Sequence, residues 1–286
     1  MSQPTTSPAL TALELSEATA ILTRYMSQSA VRFSISGGAA ALLLRIHYDL
    51  PLRLTEDIDL VVQPTGTVTA ESISAWLLKA FPTTFIATTV YGVDIPTLAF
   101  QRPDGSFKYV EIEMFDVDTW PSRPQYDLEN PDNDVTLIPV HGVDVPVFSA
   151  RWLLREKIVT AFERQESLKG RTDLDDACAL LKAVEMNVVD LTNHEDAVRH
   201  IHTVRPEAQE ELELKVICPS VLGQPWAWNE LAGVYWRFKE DQLRYLDEEL
   251  QSHRFEWDPR HTCWYFNLGE QVWDYREERE DIILRE

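Results

Sequence analysis

Two aspartates, Asp57 and Asp59, stand two residues apart in the stretch Arg53, Leu54, Thr55, Glu56, Asp57, Ile58, Asp59, Leu60. On a strand this spacing turns both carboxylates to one face and Ile58 and Leu60 to the other. Carboxylates held that close repel each other. A divalent cation with oxygen ligands, most simply Mg²⁺, is one way to keep both ionised near neutral pH. A third carboxylate is expected from a neighbouring strand, since two-metal phosphoryl chemistry sets the ions about 3.5 to 4 Å apart and needs shared ligands. The stretch Tyr109 to Phe115 offers Glu111 and Glu113 on one face, opposite Val110, Ile112 and Met114, and Glu113 is the preferred third ligand. Upstream, Ser36 leads into Gly37 and Gly38. A glycine pair lets backbone approach phosphate oxygens, with donor amides at the start of the following helix.

Such side chains need a scaffold, and the hydrophobic pattern supplies one. Thr11 to Ala30 has helical spacing in Leu13, Leu15, Ala18, Ile21, Leu22 and Tyr25. Val31 to Ser36 reads as a strand, Ala39 to Tyr48 as a helix, Ile58 to Val62 as a strand and Ala70 to Ala80 as a helix. Thr84 to Val90, Thr97 to Gln101 and Phe107 to Phe115 read as further strands, divided by Gly92, Pro96 and the turn Pro103, Asp104, Gly105. From Ser149, a candidate N-cap, long helical patterns take over. Helices are expected from Ser149, over Asp173 to Val184, within Trp226 to Leu250 and near Glu270 to Ile283, with a small hairpin or ordered loop over Phe255 to Phe266. The expected division is a floppy tail over residues 1–10, an α/β domain over 11–148 and a mainly helical domain over 149–286. The fold class is therefore α+β, a mixed sheet with flanking helices followed by a mainly helical region.

Composition narrows the function classes. At 286 residues, 44% hydrophobic and 26% charged, the chain matches ordinary globular usage. Its 26 basic residues face 47 acidic ones, for a net charge of -21, which disfavours extended nucleic-acid binding. A small anionic ligand stays compatible, because local cations and bound metal can reverse the field inside one cleft. Cys178, Cys218 and Cys263 are too far apart for a zinc motif or a disulfide framework, which fits a cytoplasmic setting. No run approaches the roughly 20 apolar residues of a membrane span.

Each feature also has a plainer reading. A glycine pair alone marks a turn, and an Asp-x-Asp alone marks solvated or capping carboxylates. Their order, the apolar strand on each side and the later acidic strand together favour a metal-nucleotide site. From its pattern Lys157 reads as a helix lysine that snorkels. His194, His200 and His202 lack metal-ligand spacing and read as solvated helix residues. Glu277, Glu278, Glu280 and Asp281 read as a solvated helix face.

Over roughly Val31 to Val184 these residues resemble the nucleotidyltransferase superfamily, whose pattern is a glycine pair, an Asp-x-Asp strand and a later acidic strand. The likeness is closest to the AbiEii-type toxin branch, in which Gly-Gly, a helix and an Arg-x-Ser/Thr-x-Asp-x-Asp segment follow in order, here Arg53, Thr55, Asp57 and Asp59. Arg171, Asp173 and Asp176 look like the helix start of the same branch. Glu113 departs from the more frequent Asp. The resemblance implies a transferase that moves a nucleoside monophosphate from a triphosphate such as ATP to an acceptor hydroxyl, releasing pyrophosphate. Asp57, Asp59 and Glu113 would hold Mg²⁺ or Mn²⁺. Ser36, Gly37, Gly38, Arg53, Thr55 and Lys157 would contact the nucleotide, Lys157 at a phosphate or at the acceptor. The acceptor is a small molecule, a protein or an RNA. A toxin-like role against transfer RNA is implied too, though the net charge weighs against it. A non-catalytic nucleotide-binding module and a protein-interaction platform are the alternative readings.

Overall fold

The computed structural model describes residues 10–90, 92–121, 124–229, 234–239, 242–245, 253–254, 256–258, 263–268, 271–276 and 281–284. It divides into two compact units, one made of Met1–Lys157 with Arg171–Ala183, the other of Ile158–Gly170 with Val184–Glu286.

The first unit opens with α1 (Ala12–Met26), whose start is fixed by a capping box: Thr11 accepts from the Glu14 amide, and the Glu14 carboxylate accepts from the Thr11 amide. Next come β1 (Phe33–Ser36), α2 (Gly37–His47), β2 (Asp57–Val62) and α3 (Ala70–Ala80). The strands β3 (Phe85–Val90), β4 (Val93–Gln101), β5 (Phe107–Phe115), β6 (Val135–Val140) and β7 (Val143–Phe148) follow. The seven strands form one mixed sheet in the order β3-β4-β5-β2-β1-β7-β6. Its centre is parallel where β2 meets β5 and β1 meets β7, and β1 and β2 run antiparallel between them.

Helix α2 packs on β1 and β2, α3 on β3 to β5, and α1 on β7. They bury the apolar alternates of the central strands: Ile35, Ile58, Leu60, Val110 and Ile112 are all fully enclosed. Helix α2 is buried from Ala39 through Arg45, so its apolar run needs no polar face until its last turn.

The expected first half is present, with two differences. Strand β4 begins at Val93 rather than Thr97, and the hairpin of β6 and β7 was not anticipated. Its two strands carry Pro139 and Pro146, residues that weaken a strand reading. Yet β7 lies beside β1, so the hairpin completes the sheet. The floppy tail falls on residues 1–9, outside the described residues, while Leu10 is buried against the fold.

Helices α4 (Ala150–Glu163) and α5 (Leu168–Leu180) begin the second half. Ser149 caps α4 as expected, its hydroxyl accepting from the Trp152 amide. The first two turns of α4 and most of α5 cluster with the first unit, so the boundary expected at 148/149 does not mark where the units part.

The second unit holds β8 (Val189–Asp190), α6 (Glu195–Val204), α7 (Gln209–Lys215), β9 (Val216–Ile217) and α8 (Pro219–Leu222). Beyond them the expected helices are absent among the described residues. Instead β10 (Ala227–Asn229), β11 (Val234–Lys239), β12 (Gln242–Tyr245) and β13 (His253–Arg254) form one four-stranded antiparallel sheet. A second sheet contains β14 (Glu256–Asp258), β15 (Cys263–Leu268), β16 (Gln271–Arg276) and β17 (Asp281–Leu284). The mainly helical reading of 149–286 therefore holds only to about Leu222. The physical reason is visible in Val234-Tyr-Trp-Arg-Phe-Lys239, where aromatic and β-branched residues alternate with period two. The hairpin expected over Phe255 to Phe266 is the pairing of β14 with β15, and Phe255 itself lies outside the described residues. Of the acidic run, Asp281 begins β17 and 277–280 lie outside.

Candidate active site

Strands β2 and β5 pair in parallel with Asp57 opposite Glu111 and Asp59 opposite Glu113. Equivalent positions on neighbouring strands share a face, and strands lie about 4.8 Å apart. Four carboxylates therefore occupy one patch of the sheet. On the other side of β2, Ser36 is the register partner of Asp59, so the chain enters α2 directly beside it.

That entry is built around the aspartate. Gly37 has φ +60, a left-handed conformation that penalises any side chain, and a Cβ placed there would lie 1.6 Å from Asp59 Oδ2. The amide of Gly38 hydrogen-bonds the same carboxylate. A Cβ on Gly38 would instead meet Thr55, 2.7 Å from its Oγ1, and that hydroxyl donates to Asp57 Oδ1 at 2.5 Å. Gly37 thus lies against Asp59 itself, and Gly38 against the threonine that hydrogen-bonds Asp57.

Asp59 has its pKa pushed up to about 6. Burial is the largest cause, followed by repulsion from Asp57 and Glu113, against which Lys157 and the Gly38 amide pull only partly. Glu113 stands opposite Asp59 and raises its pKa, and Glu111 stands opposite Asp57. Among the described residues no group of three or more His, Cys, Asp or Glu side chains is already gathered as a cation cage. The acids neighbour one another in register without closing. As a donor set they nevertheless suit a hard divalent cation, offering only carboxylate oxygens, one of which is destabilised by two like charges.

Behind the acids lies a buried ion network. Asp176, fully enclosed on α5, accepts from Arg53 Nε at 2.9 Å and Arg53 Nη2 at 2.7 Å, and from Arg45 Nη2 at 2.9 Å. Lys157 Nζ lies 2.6 Å from Asp173 Oδ1 and 3.1 Å from Asp176 Oδ2. Burial alone would raise the Asp176 pKa, but Arg53, Lys157 and Arg45 hold it below the ordinary carboxylate range. Arg45 also donates to the carbonyls of Pro51 and Asp175, tying the end of α2 to the following loop and to α5. Arg45, Arg53 and Lys157 face Asp173 and Asp176, so one positive charge is left over, and both Lys157 and Arg53 act on the acidic pair.

The sequence-expected residues are therefore brought together in the first unit. Arg53 donates to Asp176 and Thr55 to Asp57. Ser36 is buried and makes no side-chain cap bond to α2. Lys157 is not snorkelling; it is buried between two aspartates. Asp173 and Asp176 lie inside α5, which starts at Leu168, rather than at a helix start. Arg45 was missed, although a lone cation in Leu42-Leu-Leu-Arg45-Ile46 is itself a signal of a buried partner. His194, His200 and His202 are half-buried rather than solvated.

Among described residues no helix is long and apolar enough to cross a membrane. Among curated proteins none matches the chain. Solved structures similar to it include an antigenic nucleotidyltransferase-like protein from Paracoccidioides brasiliensis, 32% identical over 75% of this chain and 99% of that one, with a TM-score of 0.69. The family model for the nucleotidyl transferase AbiEii toxin of type IV toxin-antitoxin systems matches residues 20–256. With that match spanning most of the chain, and the glycine pair, acidic strands and mixed sheet in place, the chain belongs to the AbiEii nucleotidyltransferase family.

Proposed function

We propose that this chain transfers a nucleoside monophosphate from a nucleoside triphosphate, ATP being the first to test, to an acceptor hydroxyl. The hydroxyl oxygen bonds to the α-phosphorus, the bond to the bridging oxygen breaks, pyrophosphate leaves and the hydroxyl proton passes to solvent. The observation that carries this reading is the register of Asp57 and Asp59 against Glu111 and Glu113, with Asp59 set against Gly37, and Thr55, the hydrogen-bond partner of Asp57, set against Gly38.

In this reading Asp57, Asp59 and Glu113 hold one divalent cation, and Asp57 and Asp59 hold a second. When bound, Mg²⁺ or Mn²⁺ neutralises the triphosphate and lowers the pKa of the acceptor hydroxyl. The chain's own contribution is positioning. Amides at the start of α2 present donors to phosphate oxygens. Lys157 donates to Asp173 and forms an ion pair with Asp176, and a further N–H of its ammonium serves a phosphate oxygen. The buried network fixes that ammonium near Asp59 without leaving its charge unpaired.

The test is incubation with α-labelled triphosphates and Mg²⁺ or Mn²⁺, scoring pyrophosphate release and label on candidate small molecules, proteins and RNA. Asp57→Asn is expected to abolish transfer while preserving the fold by circular dichroism. Undiminished transfer in that variant overturns the mechanism. Saturable binding with no pyrophosphate points to the non-catalytic module instead.

A further inference from the structure

We infer that Thr55 is a positioning residue for Asp57, and that Gly38 is glycine because it must seat Thr55 rather than only admit phosphate. The inference rests on the proposed metal-nucleotide reading and deepens it.

The geometry is a stack of three contacts. The Thr55 side chain lies flat on the backbone of Gly38: an added Cβ would come within 2.7 Å of Oγ1, 2.8 Å of Cβ and 3.1 Å of Cγ2. So seated, the hydroxyl donates at 2.5 Å to Asp57 Oδ1. The hydroxyl has a single proton and directs it at Oδ1, which restrains the rotation of the Asp57 carboxylate. One residue earlier, Gly37 provides the corresponding seat for Asp59 Oδ2. The two aspartates belong to one strand, yet Asp59 is set directly against Gly37 and Asp57 is reached from Gly38 through Thr55. The diglycine is thus a template that sets the orientation of both acids before any ligand arrives. Partners that orient metal ligands in this way typically change affinity by about 10- to 100-fold when removed.

The experiment is a thermal-shift titration of the full chain with Mn²⁺, with and without a saturating triphosphate, on native protein, Thr55→Val, Thr55→Ser and Gly38→Ala. Valine keeps the shape and loses the proton donor; serine keeps the donor. Thr55→Val is expected to need at least about tenfold more Mn²⁺ for half-maximal shift, and Thr55→Ser to stay within about twofold of native. Gly38→Ala, whose methyl displaces Thr55, is expected to behave like Thr55→Val, and the pair combined to be no worse than either alone. Equal Mn²⁺ midpoints for native protein and Thr55→Val, or additive losses in the double variant, overturn the positioning role while leaving the metal reading in place. A native protein that shows no Mn²⁺-dependent shift under either condition overturns both.

Discussion

Gly37 and Asp59 share a single space: the Cβ that any other residue would carry at position 37 falls 1.6 Å from the carboxylate oxygen of Asp59. The contact joins the two halves of the sequence pattern, the glycine pair and the acidic strand. Gly37→Ala adds left-handed backbone strain of about 1 kcal/mol to a steric overlap that forces Asp59 away. Transfer is expected to fall by at least about 100-fold, with a destabilisation of about 2 kcal/mol. A denaturant titration beside an activity assay measures both, and near-native activity argues that Asp59 does not need this seat.

Asp59→Asn is expected to stabilise the metal-free protein at neutral pH. The folded-state pKa of Asp59 is raised to about 6, so folding favours its protonated form. The associated stability is fully present below the ordinary carboxylate value near 4 and is lost as pH climbs from about 4 through about 6. Asparagine removes the penalty, raising stability in chelator at pH 7.5 by at most about 3 kcal/mol while abolishing transfer. Melts at pH 4.5 and 7.5 should show the gain only at the higher pH.

Asp176→Asn should act in the opposite direction. Its lowered pKa contributes stability above the ordinary carboxylate range that disappears as pH falls below it. Removing this charge strands Arg45 and Arg53 with reduced compensation in a buried setting, a loss of about 3 to 5 kcal/mol. The acid limb of the stability profile should flatten in the variant. A change within about 0.5 kcal/mol would mean that the arginines find other partners.

Glu113→Gln and Glu111→Gln separate the two acids of β5. Glu113 stands opposite Asp59 and contributes to its raised pKa, whereas Glu111 stands opposite Asp57. Glu113→Gln is expected to reduce transfer by about 100-fold or more and to lower the Asp59 pKa, and Glu111→Gln to cost about tenfold or less. The reverse ranking reassigns the third ligand to Glu111.

Much of the site could be read along the chain because its information is local. The period of two in Asp57-Ile58-Asp59-Leu60 and in Glu111-Ile112-Glu113-Met114 dictates opposite faces wherever those strands go. The capping residue Ser149 and the helix of α3 were equally plain, as side-chain acceptors and helical spacing are short-range signals. The aromatic stretch after Trp226 was misread because bulky residues pack in helices and strands alike, and its alternation is short in each strand.

Residue types and spacing by themselves determined that two carboxylates share a face, that an acidic strand follows and that a glycine pair precedes them. Only the tertiary structure decided that Asp59 lies on Gly37, that Thr55 lies on Gly38, and that Arg45, Arg53 and Lys157 meet at Asp176. Arg45 and Asp176 are 131 positions apart. Periodicity constrains which way a side chain points from its own element, whereas a partner across such a distance is selected by packing, which is a property of the whole fold.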